Sequence, residues 1–153
     1  MLRARTGDAR RREDTRVKTW LVDIDGTLAL KGERGPYDWH RVGEDTPNEP
    51  VIEVVRALRK AGYGIVFVSG RMESCREDTV TWLNKHVFPV LGMLLMMRPD
   101  DDYRPDDVLK REIWETKLRD LFDVAGVIDD RARVVAMWRS LGLTCLQVAE
   151  GNF

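Results

Sequence analysis

The chain has 153 residues, 43% of them hydrophobic and 33% charged, with a net charge of −1 at pH 7. Such a length and balance build one domain with a sizeable core and exclude a protein that binds nucleic acid through bulk charge alone. No apolar run approaches the roughly 20 residues of a membrane span and no signal-peptide core follows the N-terminus, so no membrane partner and a cytoplasmic location are expected.

Residues 1–16 are Arg-rich, carry scattered acids and lack apolar periodicity, which predicts a flexible tail ahead of a domain over 17–153. Val17–Asp23 reads as a strand. A polar loop over Lys31–Asp45 leads to Thr46-Pro47-Asn48-Glu49, a capping box with Pro at the first helical position. The helix it opens turns Val51, Val54, Val55 and Leu58 inward and stops at Gly62. Gly64–Val68 is a second strand. Ser74-x-x-Glu77 starts a helix with Val80, Leu83 and Val87 inward. Leu91–Met97 reads as a buried strand and Asp106–Leu121 as a helix with Leu109, Ile113 and Leu121 on one side. Val124–Ile128, a helix over Arg131–Leu141 ended by Gly142, and a strand over Leu143–Val148 complete the chain. Strands separated by helices of this length imply an α/β fold with a five-stranded parallel sheet, ligands binding beyond the strand carboxyl ends.

Acids gather at that edge. Asp23-Ile24-Asp25-Gly26-Thr27 follows the first strand, and Asp129-Asp130 ends the fourth. Crowded carboxylates without a partner are costly, so a cation is expected among them, with Mg²⁺ the simplest. Ser69 falls at the same edge, where a plain turn role is the competing reading. Asp130 also suits a helix N-cap, and Asp106 could be a cap alone. Cys75 and Cys145 lack metal-ligand spacing and read as free thiols. Arginine supplies 19 of the 25 basic residues, which fits either phosphate recognition or a GC-rich genome.

Asp23-x-Asp25-Gly26-Thr27, Val68-Ser69-Gly70-Arg71, Lys110 and Asp129-Asp130, in this order, resemble the haloacid dehalogenase superfamily of phosphotransferases. The resemblance implies a Rossmann-like three-layer sandwich without a large cap domain. It also implies Asp23 as nucleophile and Mg²⁺ ligand, and Asp25 as general acid and base that lends its backbone carbonyl to the metal. Gly26 amides and Ser69 would hold the phosphoryl group, and Lys110 would neutralise it. Lys117 is a competing lysine two turns deeper, and the i,i+4 spacing lets Asp106 pair with Lys110. Asp129 would bind Mg²⁺ directly, with Asp130 in the metal site through water or by orienting Lys110. An acid-rich setting would help Asp25 keep its proton.

A narrower resemblance rests on Arg34-Gly35-Pro36-Tyr37-Asp38, Asp106-Asp107-Val108-x-Lys110-x-Glu112-Ile113, Ile128-Asp129-Asp130-Arg131 and Gln147-Val148-Ala149-x-Gly151-x-Phe153. These look like the 3′-phosphatase domain of phage-type polynucleotide kinase-phosphatases. The resemblance implies Arg34, Arg71 and Arg98 as substrate contacts, with surface solvation the plainer reading for Arg34 and Arg71, and places Gly26, Thr27, Ser69, Gly70 and Asp106 in the substrate site. It implies a 3′-phosphorylated DNA or RNA end, or a 3′-nucleotide, as substrate. A small phosphomonoester, or binding of phosphorylated ends without catalysis, are the alternatives. The acids of Asp100-Asp101-Asp102 would repel a polynucleotide strand. The sequence carries no Gly-x-x-x-x-Gly-Lys-Ser/Thr loop, so a separate or formerly fused kinase is expected as partner, and a homo-oligomer stays open.

Overall fold

The computed structural model describes residues 14–153. Most of the expected tail lies outside the described residues; its last residue, Arg16, donates to the Arg119 carbonyl at 2.7 Å.

Among the described residues, seven strands and four α-helices follow in the order β1 (Lys18–Val22), β2 (Ala29–Leu30), β3 (Thr46–Pro47), α1 (Glu49–Lys60), β4 (Gly64–Met72), α2 (Arg76–His86), β5 (Leu95–Arg98), α3 (Asp106–Ile113), β6 (Asp123–Asp129), α4 (Ala132–Ser140) and β7 (Cys145–Gln147). Five strands form a parallel sheet in the order β5-β4-β1-β6-β7. Successive strand residues point to opposite faces, and the central strands are apolar on both. Val22, Phe67 and Ile128 pack with Ile52 and Val55 of α1 and Trp82 and Leu83 of α2. Leu21, Val66 and Val127 pack with Leu109 and Ile113 of α3 and Val134, Val135 and Trp138 of α4. The result is the expected three-layer sandwich. Between β1 and α1 stand only the short antiparallel β2–β3 ribbon and a 3₁₀ turn, Trp39–Glu44, so no large cap covers the sheet edge.

Local corrections have physical causes. Thr46 and Pro47 pair with β2 instead of capping α1. Asn48 takes the N-cap position, and its side chain donates to the Thr27 carbonyl at 2.9 Å, tying the helix to the motif loop. Val55 is fully buried on the inward side of α1 with Val51 and Leu58 half-buried against the same core, as expected, but Ile52 joins them there and Val54 is exposed. A 3₁₀ turn, Glu73–Cys75, precedes α2, whose buried positions are Thr79, Trp82 and Leu83. After α3 the chain widens into a π turn, Trp114–Leu118, which buries Leu118 and leaves Leu121 exposed. β4 runs beyond the predicted Val68, its pairing with β5 breaking between Val68 and Met72. That irregularity re-aims Ser69, Gly70 and Arg71 at the carboxyl edge.

Candidate active site

β1 and β6 are neighbours, so their acid-tipped ends lie side by side. The Asp23 amide donates to the Ile128 carbonyl at 2.9 Å, which fixes the first acid against the second strand. Asp23, Asp129 and Asp130 each bring a carboxylate oxygen within 4.8 Å of the others, and all three are buried. Lys110 rises from α3 beneath them, 1% exposed. Its Nζ donates to Asp23 Oδ1 at 2.7 Å and to Asp129 Oδ2 at 3.0 Å. Thr27 Oγ1 donates to Asp23 Oδ2 at 2.9 Å and Trp138 Nε1 to Asp129 Oδ2 at 3.3 Å. Asp23 and Asp129 are thereby each held by residues from other parts of the chain.

Three carboxylates against one ammonium leave a surplus of two negative charges in a buried place. Burial, with repulsion from Asp129, pushes the Asp23 carboxyl well above its usual range, and the same two causes raise Asp130. Burial would lower the Lys110 ammonium, but Asp129 and Asp23 outweigh it and hold the lysine charged. An all-oxygen cluster with this surplus has the donor set a hard divalent cation takes. Gly26 makes room for the Asp130 carboxylate in that cluster. At φ +81 a side chain would be strained, and a Cβ there would stand 2.1 Å from Asp130 Oδ2.

A second cluster flanks the first. Asp25 turns away from the acid trio towards two guanidinium groups. Arg71 Nε and Nη2 donate to Asp25 Oδ2 and Oδ1 at 3.0 and 2.9 Å, and Arg34 Nη2 reaches Oδ1 at 3.0 Å. Behind them buried Asp45 accepts from Arg34 Nε at 2.6 Å and from Arg71 Nη2 at 2.8 Å. Two arginines and two aspartates balance, and only Asp25 opens outward, its side chain 35% exposed. Asp45 had no motif to mark it, since it lies in a polar loop and meets its partners only through the fold.

These contacts correct several expectations. Arg34 and Arg71 are buried rather than solvated, and most of their donors go to Asp25, Asp45, Gly35 and Thr79. Asp25 sits among arginines rather than acids. The Gly26 amide donates to the Ala29 carbonyl at 2.9 Å, and Thr27 supports Asp23 instead of facing the cavity. Asp130 is not the cap of α4, whose N-cap position is Arg131. Asp106 does not hydrogen-bond Lys110; it accepts from Arg98 Nη2 at 2.6 Å and stands 3.6 Å from Arg131. Arg98 spends its remaining donors on the carbonyls of Gly70, Asp102 and Arg104, pinning the loop after β5. Lys117 is exposed on the π turn, leaving Lys110 as the buried lysine. Ser69 is fully buried and its Oγ accepts from the Arg71 amide at 3.1 Å. The acid run is largely tied down: Asp100 accepts from the Ser74 amide, and hydrogen bonds from Arg104 bring the Asp102 carboxyl down to about 2.

Asp23, Asp25, Asp129 and Asp130 line one cavity of about 870 Å³, with Gly70, Arg98, Asp106 and Arg131 beside them and Tyr37, Tyr103 and Phe153 further out. No helix of the described residues is long and apolar enough to cross a membrane.

Comparison with known proteins agrees with this geometry. The profile of the polynucleotide kinase PNKP phosphatase domain matches residues 17–153. A protein of Autographa californica nuclear polyhedrosis virus, described as a candidate bifunctional polynucleotide kinase/RNA ligase, is 39% identical over 123 residues. That match covers 79% of this chain and 18% of the viral protein. In a structure of the Pnkp1/Rnl/Hen1 complex, a chain 34% identical superposes with a TM-score of 0.86, covering 100% of this chain and 53% of its own length. At 16% identity, the D,D-heptose 1.7-bisphosphate phosphatase of B. bronchiseptica shares the fold with a TM-score of 0.57, covering 85% of this chain and 79% of its own length. The chain thus spans about half the length, or less, of the repair proteins it matches. It belongs to the family of polynucleotide kinase PNKP phosphatase domains, with a haloacid dehalogenase fold, and is a phosphoric monoester hydrolase of that type.

Proposed function

We propose that this domain removes the 3′-phosphate from nucleic-acid ends, through a phosphoryl group carried on Asp23. The observation that carries the reading is the buried trio of Asp23, Asp129 and Asp130 around Lys110, opening onto the same cavity as Asp25. Asp23, Asp129 and Asp130 would hold Mg²⁺, with the Asp25 backbone carbonyl as a further ligand, since its side chain is engaged by arginines. The ion would neutralise phosphoryl oxygens and position them for in-line attack.

The residues divide the chemistry. An Asp23 carboxylate oxygen attacks phosphorus as the bond to the leaving 3′-oxygen breaks, and Asp25 gives that oxygen a proton. Water then attacks phosphorus, Asp25 takes its proton, and Asp23 is released as carboxylate with inorganic phosphate. Lys110 favours the ionised form of Asp23 and orients it, and Thr27 fixes its second oxygen. Asp45 holds Arg34 and Arg71, and these hold Asp25 at the cavity wall. Arg34, Arg71 and Arg98 act by positioning. Gly70 and Arg131 line the cavity and stand ready to take part in substrate binding, with Ser69 behind them holding the Arg71 amide.

A solved neighbour at 34% identity is part of a Pnkp1/Rnl/Hen1 RNA repair complex, and the viral relative is described as a bifunctional kinase and ligase. These support a polynucleotide end as substrate, RNA foremost, with a kinase or ligase activity as working partner. Phosphate release measured on a 3′-phosphorylated oligonucleotide, a 5′-phosphorylated one and a sugar phosphate, each with Mg²⁺ and with chelator, tests this. Selective, Mg²⁺-dependent release from the 3′-end is expected. Equal weak rates on all three would indicate a small-molecule phosphatase, and tight binding without release an end-recognition module.

A further inference from the structure

Most aromatic rings of the described residues are buried or half-buried. The exceptions are Tyr37, Tyr103 and Phe153, 79%, 78% and 66% exposed, and all three line the cavity that holds the acids. Scattered exposed rings would need no explanation. Every exposed ring converging on one opening does.

The three are not equivalent. Arg131 lies over the Phe153 ring at 4.7 Å from its centroid, so that ring is already engaged by a cation. Tyr37 is propped by half-buried Trp39, edge to face at 6.3 Å and 80°. Tyr103 stands between Asp102 and Arg104, whose carbonyls both accept from Arg98 Nη1. A single buried guanidinium therefore clamps the backbone on either side of Tyr103, although the loop is only a few residues long. The Tyr37 ring is braced by Trp39 and the backbone that carries Tyr103 is fixed by Arg98, while both rings remain in solvent, and positioning exposed rings in advance lowers the entropy a ligand loses on binding.

Resting on the 3′-end reading above, we propose that Tyr37 and Tyr103 form a base-stacking rim that takes the nucleobases next to the 3′-phosphate, so that the chain prefers polynucleotide ends to base-free phosphomonoesters. Stacking on two tyrosines is tolerant of sequence, because every base offers a flat face. It supplies affinity that a net charge of −1 does not provide through bulk electrostatics.

The test uses two single-stranded oligonucleotides, identical except that one ends in a 3′-phosphorylated nucleoside and the other in a 3′-phosphorylated abasic residue. The parent should favour the first in kcat/KM by roughly 5- to 150-fold, the range that aromatic stacking gives. Tyr37→Ala and Tyr103→Ala should each shrink that ratio, and the double variant should bring it near unity. Tyr37→Phe and Tyr103→Phe should keep it. A parent ratio of one, or Ala variants that keep the parent ratio, would overturn the proposal and leave the rings to a protein partner. A second readout separates this idea from the catalytic one. An Asp23→Asn protein is mixed with an oligonucleotide carrying 2-aminopurine at its 3′-phosphorylated end. Quenching that depends on Tyr37 and Tyr103 supports stacking even if the parent releases no phosphate, whereas turnover without such quenching rejects the rim and spares the phosphatase.

Discussion

Replacing Lys110 by Met probes the charge arithmetic of the site directly. The methionine roughly fills the space of the lysine stem but leaves Asp23 and Asp129 without the ammonium that now stands 2.7 and 3.0 Å from them. Removing one partner of a buried ion pair costs about 3–5 kcal/mol. For a chain of this length each kcal/mol moves the melting temperature by roughly 2–4 °C, so in chelator the variant should melt about 6–20 °C below the parent. Mg²⁺ should then behave differently in the two proteins. In the parent, a concentration 100-fold above Kd adds about 2.7 kcal/mol, or roughly 5–11 °C. In the variant the carboxylates carry a surplus of three negative charges rather than two, so the increment should be larger. Differential scanning calorimetry in EDTA and across a Mg²⁺ series measures both quantities. A variant melting within about 1 °C of the parent in EDTA, or gaining no more from Mg²⁺, would refute the claim that Lys110 is the internal counter-ion of a metal-binding trio.

Asp45→Asn should lower both stability and turnover, the latter at least tenfold by order of magnitude, because Arg34 and Arg71 lose the carboxylate that aligns them on Asp25; unchanged kinetics would mean that Asp25 needs no such support. Gly26→Ala should abolish the Mg²⁺-dependent rise in melting temperature, since its Cβ would collide with Asp130 at a backbone angle that disfavours any side chain. A normal Mg²⁺ response would show that Asp130 is dispensable to the ion. Burial pushes the Cys145 thiol up to about 12, with Asp129 adding to it, and Cys75 is raised by burial too. Native protein at pH 8 should therefore leave a disulfide reagent unreacted while unfolded protein titrates two thiols. With its folded value above the unfolded one, Cys145 contributes stability that is intact below pH 9 and is lost as pH climbs towards about 12. A flat stability profile across that window would contradict this.

The parts legible in the sequence were those governed by local pattern. Continuous apolar runs gave the central strands, because both of their faces are covered, and acids at the ends of two such runs located the edge where the site forms. Lys110 stood out over Lys117 by its nearness to the helix start, and the structure buries the first and exposes the second. The parts that stayed hidden depend on what the fold brings together. Arg34 and Arg71 read as phosphate contacts because arginine suits phosphate, yet the same fork suits carboxylate, and Asp45 reaches them from a loop without a motif. Asp106 had the right spacing to pair with Lys110, but two acids across the sheet edge compete for that lysine and Arg98 claims Asp106. Thr46-Pro47 had the signature of a helix start, and a tertiary partner, β2, drew it into a strand. On α1 the stripe of Val51, Val55 and Leu58 does face the core, and the one misplaced residue, Val54, yields to Ile52.

The central claim is that Asp23 receives the phosphoryl group. Its most direct measurement is the rate of phosphate release from a 3′-phosphorylated oligonucleotide by Asp23→Asn in saturating Mg²⁺. A fall of the order of 10⁴-fold or more, with far-ultraviolet circular dichroism unchanged, is the expected result. Turnover within tenfold of the parent would contradict the account.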